Sequence, residues 1–193
     1  MDIESLGREY QDFSSKAERL RIAISDQLMA LISENSLTLG VPIESRLKTW
    51  SSVAEKLERK QLKLQSIREL PDLVGVRVIL LFSSDVGKAV GLIEQVFEVV
   101  SREDTVTRLG DSQFGYQSQH FIVRLPESWL GVPTLSGLGQ LTVELQIRTL
   151  AQHIWAAASH KLQYKQEAGV PPPLRRTINR VSALLEIVDL GMS

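Results

Sequence analysis

The stretch PDLVGVRVILLF, residues 71–82, decides the fold. Its apolar run from Val76 to Phe82 is almost continuous, which is typical of a strand that is buried on both faces of a sheet. Asp85 is placed to cap a helix directly after it. The apolar residues of that helix recur at helical spacing, at Val86, Val90, Ile93 and Phe97. A buried strand followed by an amphipathic helix predicts that helices pack against one sheet.

A second strand is predicted by LTVELQIRT, residues 141–149, because apolar and polar residues alternate along it. One face carries Val143, Leu145 and Ile147. The other face carries Thr142, Glu144, Gln146 and Arg148. Thr149 can cap the next helix, which is predicted to run to about Lys165. Shorter strands are predicted over 99–106 and 121–125. This mixture of strands and helices indicates an α/β or α+β class built around one sheet.

The composition of the 193-residue chain is that of one globular domain, with 43% hydrophobic residues, 23% charged residues and a net charge of −1. This balance argues against whole-protein attraction to nucleic acid or anionic lipid. The absence of cysteine excludes disulfides and zinc–thiolate sites and fits a reducing compartment. The start MDIESLGREY is too polar for a signal peptide, and no apolar run approaches the roughly 18 residues of a membrane helix. We therefore expect a cytoplasmic protein without a membrane partner.

Three segments are expected within this single domain. They are an N-terminal helical segment over 1–40, a core over 41–168, and a C-terminal helix over 169–193 that packs on the core. Apolar residues from Ile3 to Leu31 alternate between spacings of three and four, which predicts one long helix, or two, breaking near 35–40. The near-heptad rhythm leaves homo-oligomer contacts open as an alternative to simple packing. One side of the last helix carries Ile178, Val181, Leu185 and Val188.

A local excess of positive charge lies in residues 46–68, which carry seven basic and two acidic side chains. If 48–63 is helical, at about 100° per residue, five donors share one face. They are Lys48, Ser52, Lys56, Arg59 and Lys63. Arg46 could join them only from a turn before the helix. Such donors suit the oxygens of a polyphosphate, whereas a solvated surface face is the competing interpretation.

Two acidic residues are candidates for a metal site, Asp72 ahead of the first strand and Glu144 on the polar face of 141–149. Carboxylates from adjacent strands could hold Mg²⁺ on a phosphate chain, because Mg²⁺ binds through one or two carboxylates plus substrate oxygens. The spacing does not establish that the strands are neighbours. In the simpler interpretation, Asp72 is a turn residue and Glu144 lies on the solvent-exposed face of a strand.

Aromatic and histidine side chains are candidates for nucleotide contacts. Tyr116 lies in the glycine-containing loop GYQSQH (115–120) and could stack on a base, or could simply be half-buried. In the helix after 141–149, His153, His160 and Tyr164 share a face within about 40°. An amphipathic helix that shows its polar side explains that face equally well.

Four segments in order resemble the synthetase domain of the RelA/SpoT family, the alarmone synthetases. They are RLKTWSSVAEK (46–56), DLVGVR (72–77), GYQSQH (115–120) and ELQIRTLAQHIWAAASHKLQYK (144–165). The resemblance implies a nucleotidyltransferase-like mixed sheet of about five strands flanked by helices. It also implies a GTP pyrophosphokinase-like enzyme that uses Mg²⁺ to move the β,γ-pyrophosphate of ATP onto the ribose 3′-hydroxyl of GDP or GTP, making (p)ppGpp.

The same resemblance implies roles for single residues on the ATP side. Four residues match the ATP-phosphate motif: Arg46, Lys48, Ser52 and Lys56. Arg77 matches an arginine placed against the adenine. Asp72 matches the metal-binding aspartate.

On the acceptor side, Tyr116 matches the guanine-stacking tyrosine and His120 its companion near the acceptor. Glu144 matches the glutamate that assists metal binding or deprotonates the acceptor hydroxyl, and Gln146 lies beside it. His153 occupies a position at which many small synthetases carry an asparagine that helps to read guanine. The lysine that commonly precedes the Gly-Tyr pair is missing from LGDSQFGY (109–116).

These departures lie on the acceptor side, so other functions stay open. The same pyrophosphokinase chemistry could act on the 3′ end of tRNA or on an adenosine nucleotide, as in toxin-like relatives. A catalytically inactive nucleotide-binding regulatory module is a second alternative. A polyanion-binding scaffold that uses the basic residues alone is a third, and it predicts strong salt dependence without ATP turnover.

Overall fold

The structure, a computed structural model, describes residues 3–104, 118–164 and 172–191. The helices are α1 (Ile3–Glu34), α2 (Trp50–Lys60), α3 (Ser83–Val96), α4 (Leu150–Tyr164) and α5 (Pro172–Gly191). The strands are β1 (Glu44–Leu47), β2 (Val74–Leu80), β3 (Glu98–Asp104), β4 (Gln119–Arg124) and β5 (Val143–Thr149). Short 3₁₀ turns lie at Ile67–Glu69 and Glu127–Trp129.

The described strands form one mixed sheet in the order β1-β2-β5-β4-β3. β2 and β5 are parallel, whereas the other neighbouring pairs are antiparallel. A parallel pair needs a long crossover, and here α3, β3 and β4 lie in the chain between β2 and β5. The predicted mixed sheet of about five strands, flanked by helices, is confirmed.

The strand predicted to be buried on both faces is half open. β2 begins at Val74, earlier than the apolar run, and ends at Leu80. Val78, Ile79 and Leu80 are buried, but Gly75 and Arg77 are only partly so. Helix α4 contacts β2 as well as β5, and the part of β2 before Val78 leaves alternate residues accessible. The expectation of full burial is therefore wrong for that half of the strand, and these accessible positions are available to a ligand.

Helix α1 is one continuous helix that buries one face, and it ends where a break was expected. Its buried residues keep the predicted rhythm: Leu6, Phe13, Ala17, Leu20, Ile24, Leu28 and Ile32. They belong to the same hydrophobic cluster as β2, β4 and β5. The helix thus forms a wall of the core, while the proposed divisions of the chain at residues 40 and 168 stay a prediction.

The helix expected over 48–63 is shorter than predicted. Strand β1 takes Glu44–Leu47, and Thr49 caps α2 by accepting the Ser52 backbone N–H at 3.4 Å. Lys48 therefore precedes α2, and Lys63 follows its end at Lys60. The prediction that five donors share one helical face is therefore wrong, because Lys48 and Lys63 lie outside the helix. The sequence gives little indication of β1, whose residues show no regular apolar pattern.

Asp85 does not cap α3, contrary to the sequence prediction. Phe82 occupies the cap position and makes no side-chain cap hydrogen bond. Asp85 lies in the first turn, is buried, and accepts the Thr38 backbone N–H (3.3 Å) and the Lys88 ammonium (3.0 Å). Its carboxylate therefore ties the segment after α1 to the start of α3. The cap predicted for Thr149 is confirmed, since its hydroxyl accepts the Gln152 backbone N–H at 3.2 Å.

Helix α5 contacts α4 and reaches the start of α3, where the Ser83 hydroxyl donates to the Asp189 carbonyl at 3.2 Å. Several apolar side chains of α5 are 41–69% exposed: Val181, Leu184, Ile187, Val188 and Leu190. Val181 and Val188, which share one side of this helix with Ile178 and Leu185, are therefore not buried against the core. Across the described ranges, none of the helices combines the length and apolar character that a bilayer crossing requires.

Candidate active site

Polar residues of four strands come into register on one face of the sheet. One row across it consists of Glu44, Arg77, Gln146 and His120. The next row consists of Arg46, Gly75, Glu144 and Ile122. The residues between these rows point to the other face, and Val76, Leu145 and Phe121 are buried there. The alternation read from 141–149 thus places Glu144 and Gln146 on the accessible face, as predicted.

An open pocket of about 100 Å³ lies over β1, β2 and β5. Its lining includes Glu44, Arg46, Gly75, Arg77, Glu144 and Gln146. The Arg77 guanidinium donates from Nε to Gln146 Oε1 (3.1 Å) and from Nη1 to Glu44 Oε2 (3.3 Å). Gly75 contributes no side chain to this surface. Four predicted site residues, Arg46, Arg77, Glu144 and Gln146, are therefore brought together here.

Lys48 and Lys56 converge on one oxygen of Asp72. The Lys48 ammonium donates to Asp72 Oδ2, and the Lys56 ammonium donates to the same atom at 2.7 Å. The Lys48 backbone N–H also donates to the Leu73 carbonyl (2.8 Å), which ties the segment after β1 to the start of β2. All three side chains are largely buried, with exposed fractions of 11%, 19% and 21% for Lys48, Lys56 and Asp72.

The charge state of Asp72 follows from these contacts. Burial alone would raise the pKa of the Asp72 carboxyl, but hydrogen bonds from Lys48 and Lys56, and their charges, bring this pKa below its ordinary value. The carboxylate is therefore ionised at neutral pH. The cluster carries two positive charges and one negative charge, which favours an added anion.

Asp72 and Glu144 fit a divalent metal ion of the kind expected. Asp72 Oδ1 is buried and has no hydrogen-bond partner among the described residues, although buried polar atoms are usually paired. Glu144 lies near enough for the charge of Asp72 to raise its pKa. Within the described ranges no group of three acidic or histidine side chains could hold a metal. Two carboxylates are nevertheless enough for Mg²⁺, which takes its remaining ligands from phosphates and water.

Glu144 is also joined to a short chain of hydrogen bonds on β4. His120 Nδ1 lies 3.4 Å from Glu144 Oε1, and His120 Nε2 lies 2.6 Å from the Ser118 hydroxyl. The hydrogen bond from His120 lowers the pKa of Glu144, burial opposes this, and the net pKa is below the ordinary value of a glutamate. Glu144 is therefore an ionised carboxylate with a partner that orients it. Such a group can accept a proton from a substrate hydroxyl.

His153 lies in the first turns of α4, and its ring is held by Arg148 at the end of β5. Arg148 Nη2 is 2.7 Å from His153 Nδ1, and Arg148 is buried. The charges of Glu44 and Arg77 both act on His153, which places it near the pocket over β1 and β2. Sequence reasoning proposed His153 but not Arg148, whose only signal was its position on the polar face of 141–149.

The remaining predicted residues divide into two groups. Ser52 lies in the first turn of α2, exposed beside its cap residue Thr49, whose hydroxyl donates to Ser52 Oγ at 3.0 Å. Arg59 and Lys63 are exposed. Tyr116 and the segment 109–116, on which the expected guanine contacts rest, lie outside the described residues.

Tyr10 supports the lysine cluster from α1, and sequence reasoning missed this role. Its hydroxyl donates to the Lys48 backbone carbonyl at 2.9 Å, and its ring lies 5.7 Å from that of Trp50. The sequence identifies Tyr10 only as one of the apolar positions of a packing helix. Contacts between residues 38 positions apart leave no local pattern in a sequence.

Replacing Tyr10 by phenylalanine removes this hydrogen bond and leaves the ring in place. We expect the free energy of unfolding to fall by about 0.5–1.5 kcal/mol, since the Lys48 carbonyl loses its donor. Chemical denaturation measures the change. Ser14→Ala is a matched control on α1, because its exposed hydroxyl bonds only to the nearby Gln11 carbonyl among the described residues. Equal stability of the two variants would contradict the role given to Tyr10.

Comparison with known proteins identifies the family of this chain. The family model described as a region found in RelA / SpoT proteins matches residues 45–169. Among curated relatives, GTP pyrophosphokinase YjbM of Bacillus subtilis is 33% identical over 157 residues, which is 79% of this chain and 71% of that protein. GTP pyrophosphokinase YwaC of the same organism is 30% identical over 159 residues, or 78% and 72% of the two chains.

Solved structures match over nearly the full length. The small alarmone synthetase 1 of Bacillus subtilis has a TM-score of 0.75 and 25% identity, covering 96% of this chain and 95% of that one. The structure of the same enzyme bound to its product pppGpp has a TM-score of 0.72 and 26% identity, with 98% and 95% covered. The chain belongs to the RelA/SpoT family. The predicted class, a GTP pyrophosphokinase-like enzyme, is confirmed at the level of this family.

Proposed function

We propose that this protein transfers pyrophosphate from ATP to the ribose 3′-hydroxyl of GDP or GTP, and so makes (p)ppGpp. The 3′-oxygen forms a bond to the β-phosphorus of ATP while the bond from that phosphorus to the α,β-bridging oxygen breaks. AMP leaves, and the hydroxyl proton passes to a carboxylate. The observation that carries the proposal is the convergence of Lys48 and Lys56 on Asp72, which lies within electrostatic range of Glu144.

The phosphates of ATP are assigned to the lysine cluster. Lys48 and Lys56 supply ammonium donors, and Ser52 adds a hydroxyl at the start of α2, where helix N-termini favour anions. Arg46 and Arg77 lie in adjacent strands over the pocket. Arg46 would contribute to the phosphate site, and Arg77 would face the adenine. Phosphoryl-type transfer depends mostly on positioning and charge stabilisation, and cations around the phosphates provide both.

Mg²⁺ is the proposed cofactor, with Asp72 and Glu144 as its protein ligands. The unpartnered Asp72 Oδ1 supports this choice. When bound, Mg²⁺ would neutralise charge on the phosphate oxygens that these carboxylates face. Both carboxylates are ionised at neutral pH, because the pKa of each is below its ordinary value.

The acceptor hydroxyl is assigned to Glu144, with His120 as the residue that orients it. A carboxylate in this role contributes general-base catalysis of about 10²–10⁴-fold. Tyr116 is proposed to stack on the guanine and Gln146 to lie beside the acceptor. A relative of known structure was solved with its product pppGpp, which supports a guanosine acceptor. We assign the reaction to the cytoplasm, where ATP and Mg²⁺ occur together.

One labelling experiment tests the reaction and its acceptor. The protein is incubated with Mg²⁺ and ATP labelled in the γ-phosphate, together with GDP, GTP, ADP or tRNA in separate samples. We expect AMP release and label on the guanosine nucleotide. Transfer of label to tRNA or to ADP would show that this molecule, and not a guanosine nucleotide, is the acceptor. ADP release would indicate ordinary kinase chemistry, and no AMP with any acceptor would favour a regulatory module without activity.

Replacing Lys56 by methionine is expected to weaken ATP binding by about 10- to 150-fold, equal to about 1.5–3 kcal/mol, because a charge-assisted hydrogen bond is lost. Isothermal calorimetry with a non-hydrolysable ATP analogue measures the change. Lys60→Met is the matched control, since Lys60 is an exposed lysine on the same helix. Unchanged binding in the Lys56 variant would place Lys56 outside the phosphate site.

A further inference from the structure

Gly75 lies in the middle of the candidate active site and has no part in the chemistry proposed so far. It belongs to β2 and pairs with Arg46 on β1 and with Glu144 on β5. Together these residues line the open pocket of about 100 Å³ over the sheet. A glycine inside a strand weakens the strand, because it loses much conformational freedom on folding and has no side chain to pack. Its place on the floor of the pocket therefore requires an explanation.

The backbone conformation does not require glycine at this position. Gly75 has the extended conformation of β2, outside the left-handed region that favours glycine. Gly137, by contrast, has a φ of 77°. Conformation alone would therefore allow alanine or valine at residue 75, and valine is among the residues that strands favour.

Packing within the protein does not require glycine either. A Cβ atom added to Gly75 would lie 3.9 Å from Arg46 Cγ, which is an ordinary van der Waals contact. Apart from its chain neighbours, no other atom of the described residues would come within 4 Å of it. At Gly40 the same addition would place Cβ only 3.0 Å from Leu150 Cβ. The space over Gly75 is thus open to a ligand rather than filled by the fold.

The order of groups along β2 indicates which part of ATP would occupy this space. Asp72, which Lys48 and Lys56 contact, lies at the end assigned to the phosphates. Arg77 lies at the end assigned to the adenine. Gly75 lies between them, within about 11 Å of residue 72 and about 7 Å of residue 77 along an extended chain. A nucleotide that spans both ends would therefore pass over Gly75 with its nucleoside.

We propose that Gly75 forms the floor on which the nucleoside of ATP rests, and that a side chain at this position would exclude the nucleoside. The missing side chain allows ribose and adenine to lie directly against the backbone of β2. The phosphate contacts at Lys48 and Lys56 do not depend on it. Gly75 thus favours a nucleotide over an inorganic polyphosphate. The inference rests on the proposed function for the placement of ATP, whereas the open space over Gly75 does not.

Two graded variants, Gly75→Ala and Gly75→Val, add a methyl and an isopropyl group to the floor of the pocket. We expect Gly75→Val to weaken binding of a non-hydrolysable ATP analogue by about 5- to 150-fold, because extra methyl groups in a close contact cost that much. Gly75→Ala should have a smaller effect. Isothermal calorimetry with Mg²⁺ measures both. Unchanged affinity in Gly75→Val overturns the proposal.

The matched control is Gly87→Ala, at an exposed glycine of α3 whose added Cβ would meet nothing among the described residues within 4 Å. It should leave binding of the ATP analogue unchanged. A loss of affinity equal to that of Gly75→Ala would show that the effect is not specific to the pocket, and would overturn the proposal.

Inorganic tripolyphosphate separates a steric block from general damage to the site. It has the phosphates of ATP without a nucleoside, so both Gly75 variants should bind it as the unchanged protein does. Lys56→Met should weaken its binding. Thermal melting of Gly75→Ala should occur at the same or a higher temperature, because alanine loses less conformational freedom on folding. A parallel loss of tripolyphosphate binding, or a lower melting temperature in Gly75→Ala, overturns the proposal. If Gly75→Val does not fold, Gly75→Ala carries the test.

The two proposals fail in different ways. If the unchanged protein does not bind the ATP analogue, both are wrong. If it binds the analogue but releases no AMP from ATP, the proposed function is wrong, while the graded variants still test Gly75. If AMP release is normal and Gly75→Val binds the analogue as tightly as the unchanged protein, the function stands and the role of Gly75 is wrong.

Discussion

Replacing Glu144 by glutamine is expected to slow pyrophosphate transfer by about 10²–10⁴-fold, while the affinity for an ATP analogue stays close to that of the unchanged protein. Glutamine keeps the size of the side chain and an oxygen toward His120 but cannot take a proton. The donor-side cations, Lys48 and Lys56, remain on Asp72. Initial rates of AMP release, measured beside calorimetric binding, separate the two quantities.

The pH dependence of the unchanged protein adds a check on Glu144. The pKa of Glu144 lies below its ordinary value. Protonation of Glu144 should therefore slow the reaction only at pH values below the pKa of a free glutamate. Glu127→Gln, at an exposed glutamate of the turn Glu127–Trp129, serves as a control and should leave the rate unchanged. Lost ATP binding, or normal turnover, in the Glu144 variant would contradict the base role.

Replacing Asp72 by asparagine is expected to reduce transfer by at least about 100-fold at saturating ATP, and to weaken the dependence of the rate on Mg²⁺. Asparagine preserves one acceptor for Lys48 and Lys56 but removes the charge beside Asp72 Oδ1, the buried oxygen that lacks a partner among the described residues. Titration of initial rates with MgCl₂ measures both effects. If the variant keeps the Mg²⁺ dependence of the unchanged protein, Asp72 is not a ligand of the metal.

The same substitution changes the response of stability to acid. The pKa of folded Asp72 is lowered, so its contribution to the free energy of unfolding is present above the pKa of the unfolded chain. It is lost as the pH falls through the lower pKa of the folded protein. Asp72→Asn should therefore lose less stability between neutral and acidic pH. Asp12→Asn, at an exposed position of α1, is the control that keeps the full response.

The sequence was most informative where side chains alternate or recur regularly. The period-two pattern of 141–149 placed Glu144 and Gln146 on one side of β5, and the helical rhythm of 3–31 predicted α1 as a wall of the core. The local excess of basic residues and the resemblance to the RelA/SpoT family also singled out Lys48, Lys56 and Asp72. That these three side chains meet is beyond the reach of local spacing, because their meeting depends on the pairing of β1 with β2.

The errors at β1 and at Asp85 share a physical cause, since each depends on a contact between distant parts of the chain. Strand β1 has four residues and no apolar pattern, so the predicted helix extends back to Lys48. Asp85 has the residue type and sequence position of a helix cap. Its carboxylate instead accepts a hydrogen bond from the backbone N–H of Thr38, in the segment after α1. Arg148 and His153 are only five residues apart, but their contact spans the junction of β5 and α4, so neither the period of a strand nor that of a helix predicts it.

The register of β2 against β5 has a further consequence. Gly75, Arg77, Glu144 and Gln146 alternate with the apolar residues that hold the sheet to its helices. Adding or deleting a single residue within either strand would invert this alternation, sending charged groups inward and exposing valines and leucines. Chemistry and folding would then be lost in one step, so variation along these two strands should proceed by substitution, whereas length changes should be confined to the connections between them.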